Sequence, residues 1–181
     1  MGHFWMETTE KEWLNKFFSI GNREIDGRPL YKYRLTSAEY ENLRQVLAGR
    51  CSGPDSLDDL LSDFGFRMLF VFFATEWYKR EYSGGTWRWE DIFSRFTRKT
   101  VRNVANRSNA VREGFKSLKI EIPEEGAGKR FFGAVITNGG LPAKYIQNNR
   151  SPLGIVGLIT AALKYKLKYC VSSDELYDYI E

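Results

Sequence analysis

The chain has 181 residues, 43% of them hydrophobic and 28% charged, which suits one globular domain with a core of its own. Its 27 Lys and Arg against 23 Asp and Glu leave a formal charge of +4, a mild basicity that favours an acidic partner without requiring one. One histidine (His3) and two cysteines (Cys51, Cys170) exclude a Ser-His-Asp site, a multi-histidine metal cluster and a disulfide framework, and no apolar run is long enough for a membrane-spanning helix.

In chain order, Thr9 followed three residues later by Glu12 forms a capping box, and Trp13, Leu14, Phe17 and Phe18 then recur at helical spacing until Gly21. No signal peptide is visible ahead of it, so a cytoplasmic location is expected. Residues 22–30 read as a polar loop with an Asp26-Gly27 turn signal, and Tyr31-Lys32-Tyr33-Arg34-Leu35 alternates as a short strand or extended segment does. Thr36 and Glu39 make a second capping box, opening a helix through Tyr40, Leu43, Val46 and Leu47 to Gly49. After a loop at Cys51–Pro54, the stretch from Ser56 to Ser62 reads as a short acidic helix with Leu57, Leu60 and Leu61 on its inner side.

The stretch from Met68 to Phe93 organises the chain. An apolar run, Met68 to Ala74, passes into the ionic and aromatic turn from Glu76 to Tyr82 and breaks at Gly84-Gly85; Trp87 and Trp89 follow. A helix over about 65–82 that is apolar nearly all round in its first half is buried at one end and emerges at the other. Thr86 then caps a helix carrying Ile92, Phe93 and Phe96 inward, and a helical pattern continues through Val101, Val104, Val111 and Phe115. Residues 123–129 (PEEGAGK) are the expected flexible connection. Beyond it the spacing predicts helices over 131–137, 142–146 and 153–169, the last with Ser151 as N-cap and Pro152 at N1. A third capping box at Ser172 and Glu175 opens a helix after which the sequence stops within a turn or two, as a docking end or a segment leading into further domains does.

From Arg95 to Lys119 eight Lys or Arg (Arg95, Arg98, Lys99, Arg102, Arg107, Arg112, Lys116, Lys119) face one acid, Glu113. Arg95, Arg98, Lys99 and Arg102 follow i, i+3, i+4, i+7, so on a helix they share one side. Interleaved Asn103, Asn106, Ser108 and Asn109 supply groups that bond phosphate or base edges. The candidate nucleic-acid-binding set is therefore Arg95, Arg98, Lys99, Arg102, Asn106, Arg107, Arg112 and Lys116, acting by phosphate neutralisation and counterion release. The competing reading is a solvated helix face that keeps the domain soluble.

A second set is Glu76, Trp77, Tyr78, Arg80, Trp87 and Trp89. These rings either form a platform that stacks bases or holds a peptide, or wedge between helices with Glu76 and Arg80 as an i, i+4 ion pair; the wedge reading is preferred. Asp55, Asp58, Asp59 and Asp63 are close enough in sequence to hold a hard cation, as a metal-dependent nuclease requires, but an acidic helix start responding to the helix dipole explains them better. No phosphate-binding loop occurs: Gly126-Ala127-Gly128-Lys129 lacks both the spacing and the following Ser or Thr. No cofactor and no metal are expected.

The early WLNxFF helix, DGRPLYKYRLT at 26–36, the FVFFATEWYKREYSGGTWRWEDIF core at 70–93 and the later GGLP at 139–142 together resemble the N-terminal region of large bacterial proteins found on mobile genomic islands. The resemblance covers most of residues 10–145. Its most specific part is the E-W-x-x-R-x-Y-x-G-G-x-W-x-W pattern from Glu76 to Trp89. Such islands carry anti-phage defence genes, so the resemblance implies a place in a defence complex, with further domains after this segment and no catalytic residue to carry over. The expectation is a mainly α, multi-helix single domain over residues 1–181, with at most a minor β-element near residues 31–35. Its expected role is a non-enzymatic recognition or assembly module that binds DNA or RNA through a basic helix. A protein–protein module with incidental charge and a metal-dependent nuclease are the alternatives.

Overall fold

The computed structural model describes residues 9–20, 23–82 and 88–122 and positions 134, 135, 138 and 139. Trp87, the Thr86 cap, the 123–129 connection, His3, Cys170 and the helices expected beyond residue 140 lie outside the described residues. The described chain is helical: α1 (Glu10–Ser19), a 3-10 turn (Leu30–Tyr33), α2 (Ser37–Ser52), α3 (Leu57–Leu60), α4 (Phe64–Glu81), α5 (Trp89–Phe93) and α6 (Val104–Ser117).

Local chemistry sets the helix starts. Thr9 with Glu12, Thr36 with Glu39 and Ser56 with Asp59 each form a reciprocal capping box that satisfies otherwise orphaned N–H groups. Asp63 starts α4 by accepting the Phe66 N–H at 2.9 Å, and Asn103 starts α6 by accepting the Ala105 N–H at 2.9 Å.

Helix α4 is the central post. Every residue from Met68 to Tyr78 is buried, so a single amphipathic face has no meaning for it and other helices must cover all its sides. α6 packs against it most extensively, followed by α2, α1 and the 3-10 turn. The packing is aromatic: Phe72 meets Phe17 at 5.3 Å and Tyr33 at 5.7 Å, Tyr40 stacks on Phe73 at 5.2 Å, and Phe70 stacks on Phe93 at 5.1 Å. α6 approaches α4 so closely at Gly114 that a Cβ there would lie 2.7 Å from both the Arg67 carbonyl oxygen and Val71 Cγ1.

The Tyr31–Leu35 segment is not a strand. Pro29, with φ of −55°, leads into the 3-10 turn, and Arg34 ends it in the left-handed region at φ of 50°. Tyr31, Tyr33 and Leu35 are buried while Lys32 is half-buried and Arg34 exposed, so the alternation marks the inner and outer sides of a turn, not of a sheet. Asn138 pins the turn from far along the chain: its Oδ1 accepts the Leu30 N–H at 3.3 Å while its Nδ2 donates to the Ala134 carbonyl at 2.9 Å. Among the described residues no helix is long and apolar enough to cross a membrane.

Candidate functional site

Glu76, Trp77 and Tyr78 of the aromatic and ionic turn of α4 lie inside the fold, and Lys79 to Tyr82 are half-buried. Glu76 is 3% exposed, and its carboxylate meets Arg80 Nε at 2.7 Å. Arg80 also donates to Ser37 Oγ at 3.1 Å and to the Leu35 carbonyl, and its guanidinium lies 5.2 Å from the centre of the Tyr40 ring. One side chain therefore ties α4 to the end of the 3-10 turn and the start of α2. Burial pushes the Glu76 carboxyl up from its ordinary range, against the opposing pull of Arg80. Trp77 and Tyr78 are buried, and Trp89 is buried with its ring 5.9 Å from Phe70. These rings fill space between helices and offer no open face for stacking a base.

The basic run does not form one helix face. α5 ends at Phe93, residues 94–103 are turns and irregular backbone, and only Asn106, Arg107, Arg112 and Lys116 of the candidate set stand on a helix, α6. The helix breaks because side chains capture backbone N–H groups. Thr97 Oγ1 accepts the Lys99 N–H at 3.0 Å, and the Asp58 carboxylate accepts the N–H groups of Arg102 at 2.9 Å and Asn103 at 3.1 Å. A continuous helix would direct those groups back to its own carbonyls.

The irregular segment nonetheless brings three of the four leading cations together. Arg95, Arg98 and Lys99, with Ser94 and Thr97, meet Arg44 and Ser52 of α2 around a groove of about 540 Å³. No carboxylate side chain is among its described lining residues. Arg44 is held from outside the groove by Glu41 at 2.5 Å, and Arg95 by Glu81 at 3.0 Å. Lys99 Nζ donates to the Gly53 carbonyl at 2.6 Å and to the Asp55 carbonyl, tying the segment to the loop just past the end of α2. The exposed Arg98 side chain has no hydrogen-bond or ion-pair partner among the described residues. Cys51 forms part of the groove wall, and burial pushes its thiol up from its usual value.

The other candidates divide. Arg102 is exposed outside the groove, as is Lys116 on α6. Arg112 is exposed but pairs with Glu113 at 3.2 Å and donates to Asn109. Asn106 and Arg107 serve the fold: Asn106 donates to Asp58 at 3.3 Å, while Arg107 reaches Glu90 at 3.6 Å and lies 5.9 Å from the centre of the Trp89 ring. Arg44 was not foreseen, because its proximity to residues 95–99 is a tertiary contact that no local spacing signals.

Three of the four aspartates accept backbone N–H groups. Asp58 holds the start of α6, Asp59 closes the α3 capping box with Ser56, and Asp63 caps α4. Among the described residues no group of three or more His, Cys, Asp or Glu is placed to hold a metal ion.

Residues 5–141 match the family model described as the YjiT N-terminal domain. The chain is also similar to Protein YjiT of Escherichia coli (strain K12), 31% identical over 153 residues, which cover 81% of this chain and 27% of that protein. The matched segment thus spans about a quarter of the length of its bacterial relative. No solved structure matches the chain. With the family model covering well over half of its residues, the chain belongs to the YjiT N-terminal domain family.

Proposed function

We propose that this chain is a non-enzymatic recognition module of a bacterial anti-phage defence system that binds DNA or RNA through phosphate contacts. The observation that carries the reading is the groove at the end of α2, where Arg44, Arg95, Arg98 and Lys99 converge with no carboxylate among its described lining residues. Exposed Arg102, Arg112 and Lys116 add positive charge on the connection and on α6. Binding to phosphates by these cations releases condensed counterions and needs no cofactor. The resemblance carried by the Glu76–Trp89 pattern supports the defence context, and a cytoplasmic location suits a module that meets invading nucleic acid.

Purified protein mixed with labelled duplex DNA, single-stranded DNA and RNA at low and physiological salt tests this reading, beside an Arg98→Glu/Arg102→Glu variant. Neither side chain has a structural partner among the described residues, so the variant retains the fold, which circular dichroism verifies. The wild type is expected to bind and to weaken as salt rises, with the salt slope falling by about 1 for each cation reversed. Failure of the wild type to bind any of the three at low salt sinks the proposal.

An apolar groove of about 970 Å³ favours a second reading, a protein-interaction module with incidental charge. Leu14 and Phe18 of α1, Ile25, and Phe64 and Met68 of α4 line it, and Phe64 is 64% exposed. Association with a defence partner that ignores salt and is lost in Phe64→Asp would support that reading over the first.

A further inference from the structure

We propose that the groove at the end of α2 recognises a terminal phosphomonoester of a nucleic-acid strand, an inference that rests on the nucleic-acid reading and narrows its ligand. The groove is open to solvent but local, its described lining confined to α2 and residues 94–99. At about 540 Å³ it falls within the roughly 300–1,000 Å³ typical of small-ligand sites, which suits one nucleotide at a strand end better than a track along a strand.

Its charge balance favours a dianion. Among the described residues four cations line it, and the carboxylates that steady two of them, Glu41 and Glu81, are not in its lining. A terminal phosphate carries roughly −1.5 to −2 charges at neutral pH, whereas each internal phosphodiester carries a single one. The same cluster therefore gains more from the end than from the backbone.

Donor geometry separates anchor from support. Arg44 is engaged with Glu41 through Nε and Nη2, and Lys99 gives two of its N–H groups to the Gly53 and Asp55 carbonyls. That contact fixes the Lys99 charge just past the C-terminal end of α2. Arg98 keeps all its donors available among the described residues. Arg95 is held through Nε, leaving its terminal nitrogens for a ligand. The forked guanidinium of Arg98 thus takes the phosphate oxygens in bidentate fashion, with Arg95 beside it and Lys99 supplying a fixed positive charge.

The test uses one short single-stranded oligonucleotide in three forms: 5′-phosphorylated, 3′-phosphorylated, and hydroxyl at both ends. Affinity is measured at physiological salt for the wild type, Arg98→Glu and Arg98→Lys. One phosphorylated form is expected to bind roughly tenfold more tightly than the hydroxyl form, in keeping with one or two charge-assisted hydrogen bonds. Arg98→Glu should abolish that preference and Arg98→Lys should retain part of it, while inorganic pyrophosphate competes with the phosphorylated strand. Equal, salt-dependent binding of all three forms overturns end recognition and leaves the backbone reading standing. Absence of binding by every form overturns both.

Discussion

The carboxylate of Asp58, on the short helix α3, accepts the backbone N–H of Arg102 at 2.9 Å and stops the chain from running helically into α6. Its other oxygen accepts the Asn103 N–H at 3.1 Å and the Asn106 side-chain amide at 3.3 Å. One acid thereby sets where α6 begins and how the basic segment 94–103 lies against α2. Asp58→Ala removes all three bonds. Allowing for partial exposure, a loss of about 1–3 kcal/mol in urea unfolding is expected, with Asp58→Asn, which keeps one acceptor oxygen, costing less. An unchanged midpoint for Asp58→Ala would show that the segment holds its course without this anchor.

Gly114 and Gly49 make opposite predictions for the same substitution. Both are helical, so alanine gains about 0.5–1 kcal/mol of helix propensity at either position. At Gly49 a Cβ meets nothing within 4 Å, and that gain is realised in full. At Gly114 the new methyl would sit 2.7 Å from a main-chain oxygen of α4, which has no flexible end to yield. Overpacking of this kind costs about 1–3 kcal/mol and exceeds the propensity gain. Thermal unfolding should therefore place Gly49→Ala above the wild type and Gly114→Ala below it. A stabilised Gly114→Ala protein would refute the close crossing of α4 and α6.

What the sequence disclosed follows the range of the interactions. The Thr9–Glu12 and Thr36–Glu39 boxes are three-residue devices and were readable at once. The continuous apolar run from Met68 marked α4 as central, since no helix exposes residues of that kind on every side. The Arg95–Arg102 spacing misled because its competitor, Asp58, lies more than forty residues away. The 3-10 turn at Leu30–Tyr33 was obscured in the same way: Tyr31, Tyr33 and Leu35 alternate, yet Asn138 and the aromatic core decide the backbone. Arg44 escaped notice for want of any local signal, and it is the residue that turns three nearby cations into a lined groove.

Glu76 predicts a pH effect of definite sign. Its carboxyl is raised above the ordinary value of 4.5, with burial as the largest cause. The folded protein therefore holds the proton where the unfolded chain has released it, and this group's contribution to stability declines as pH rises from about 4.5 through the raised folded value. Glu39, Glu41 and Asp59 are shifted downward by their partners and act oppositely, losing their contribution as pH falls through their lowered values. Glu76→Gln deletes only the first component. The stability difference between wild type and variant should thus move in the variant's favour between mildly acid and neutral pH. Movement in the wild type's favour over that interval would mean that Arg80 outweighs burial.

Lys99 and Arg98 are adjacent cations on one groove with different duties, and stability and binding separate them. Lys99 Nζ bonds the Gly53 and Asp55 carbonyls just past the end of α2, tying the basic segment to that helix. Lys99→Ala should lower stability by about 1–2 kcal/mol, the range for one or two charge-assisted bonds at an exposed site. Arg98 is exposed and touches no partner among the described residues, so Arg98→Ala should stay within about 0.5 kcal/mol of the wild type. The order reverses for nucleic acid. Arg98→Ala should weaken binding more than Lys99→Ala does when the two are compared under conditions where both proteins are fully folded. If Arg98→Ala unfolds early and binds normally, the assignment of Arg98 as a ligand-facing cation is wrong, because the side chain would then be acting within the fold.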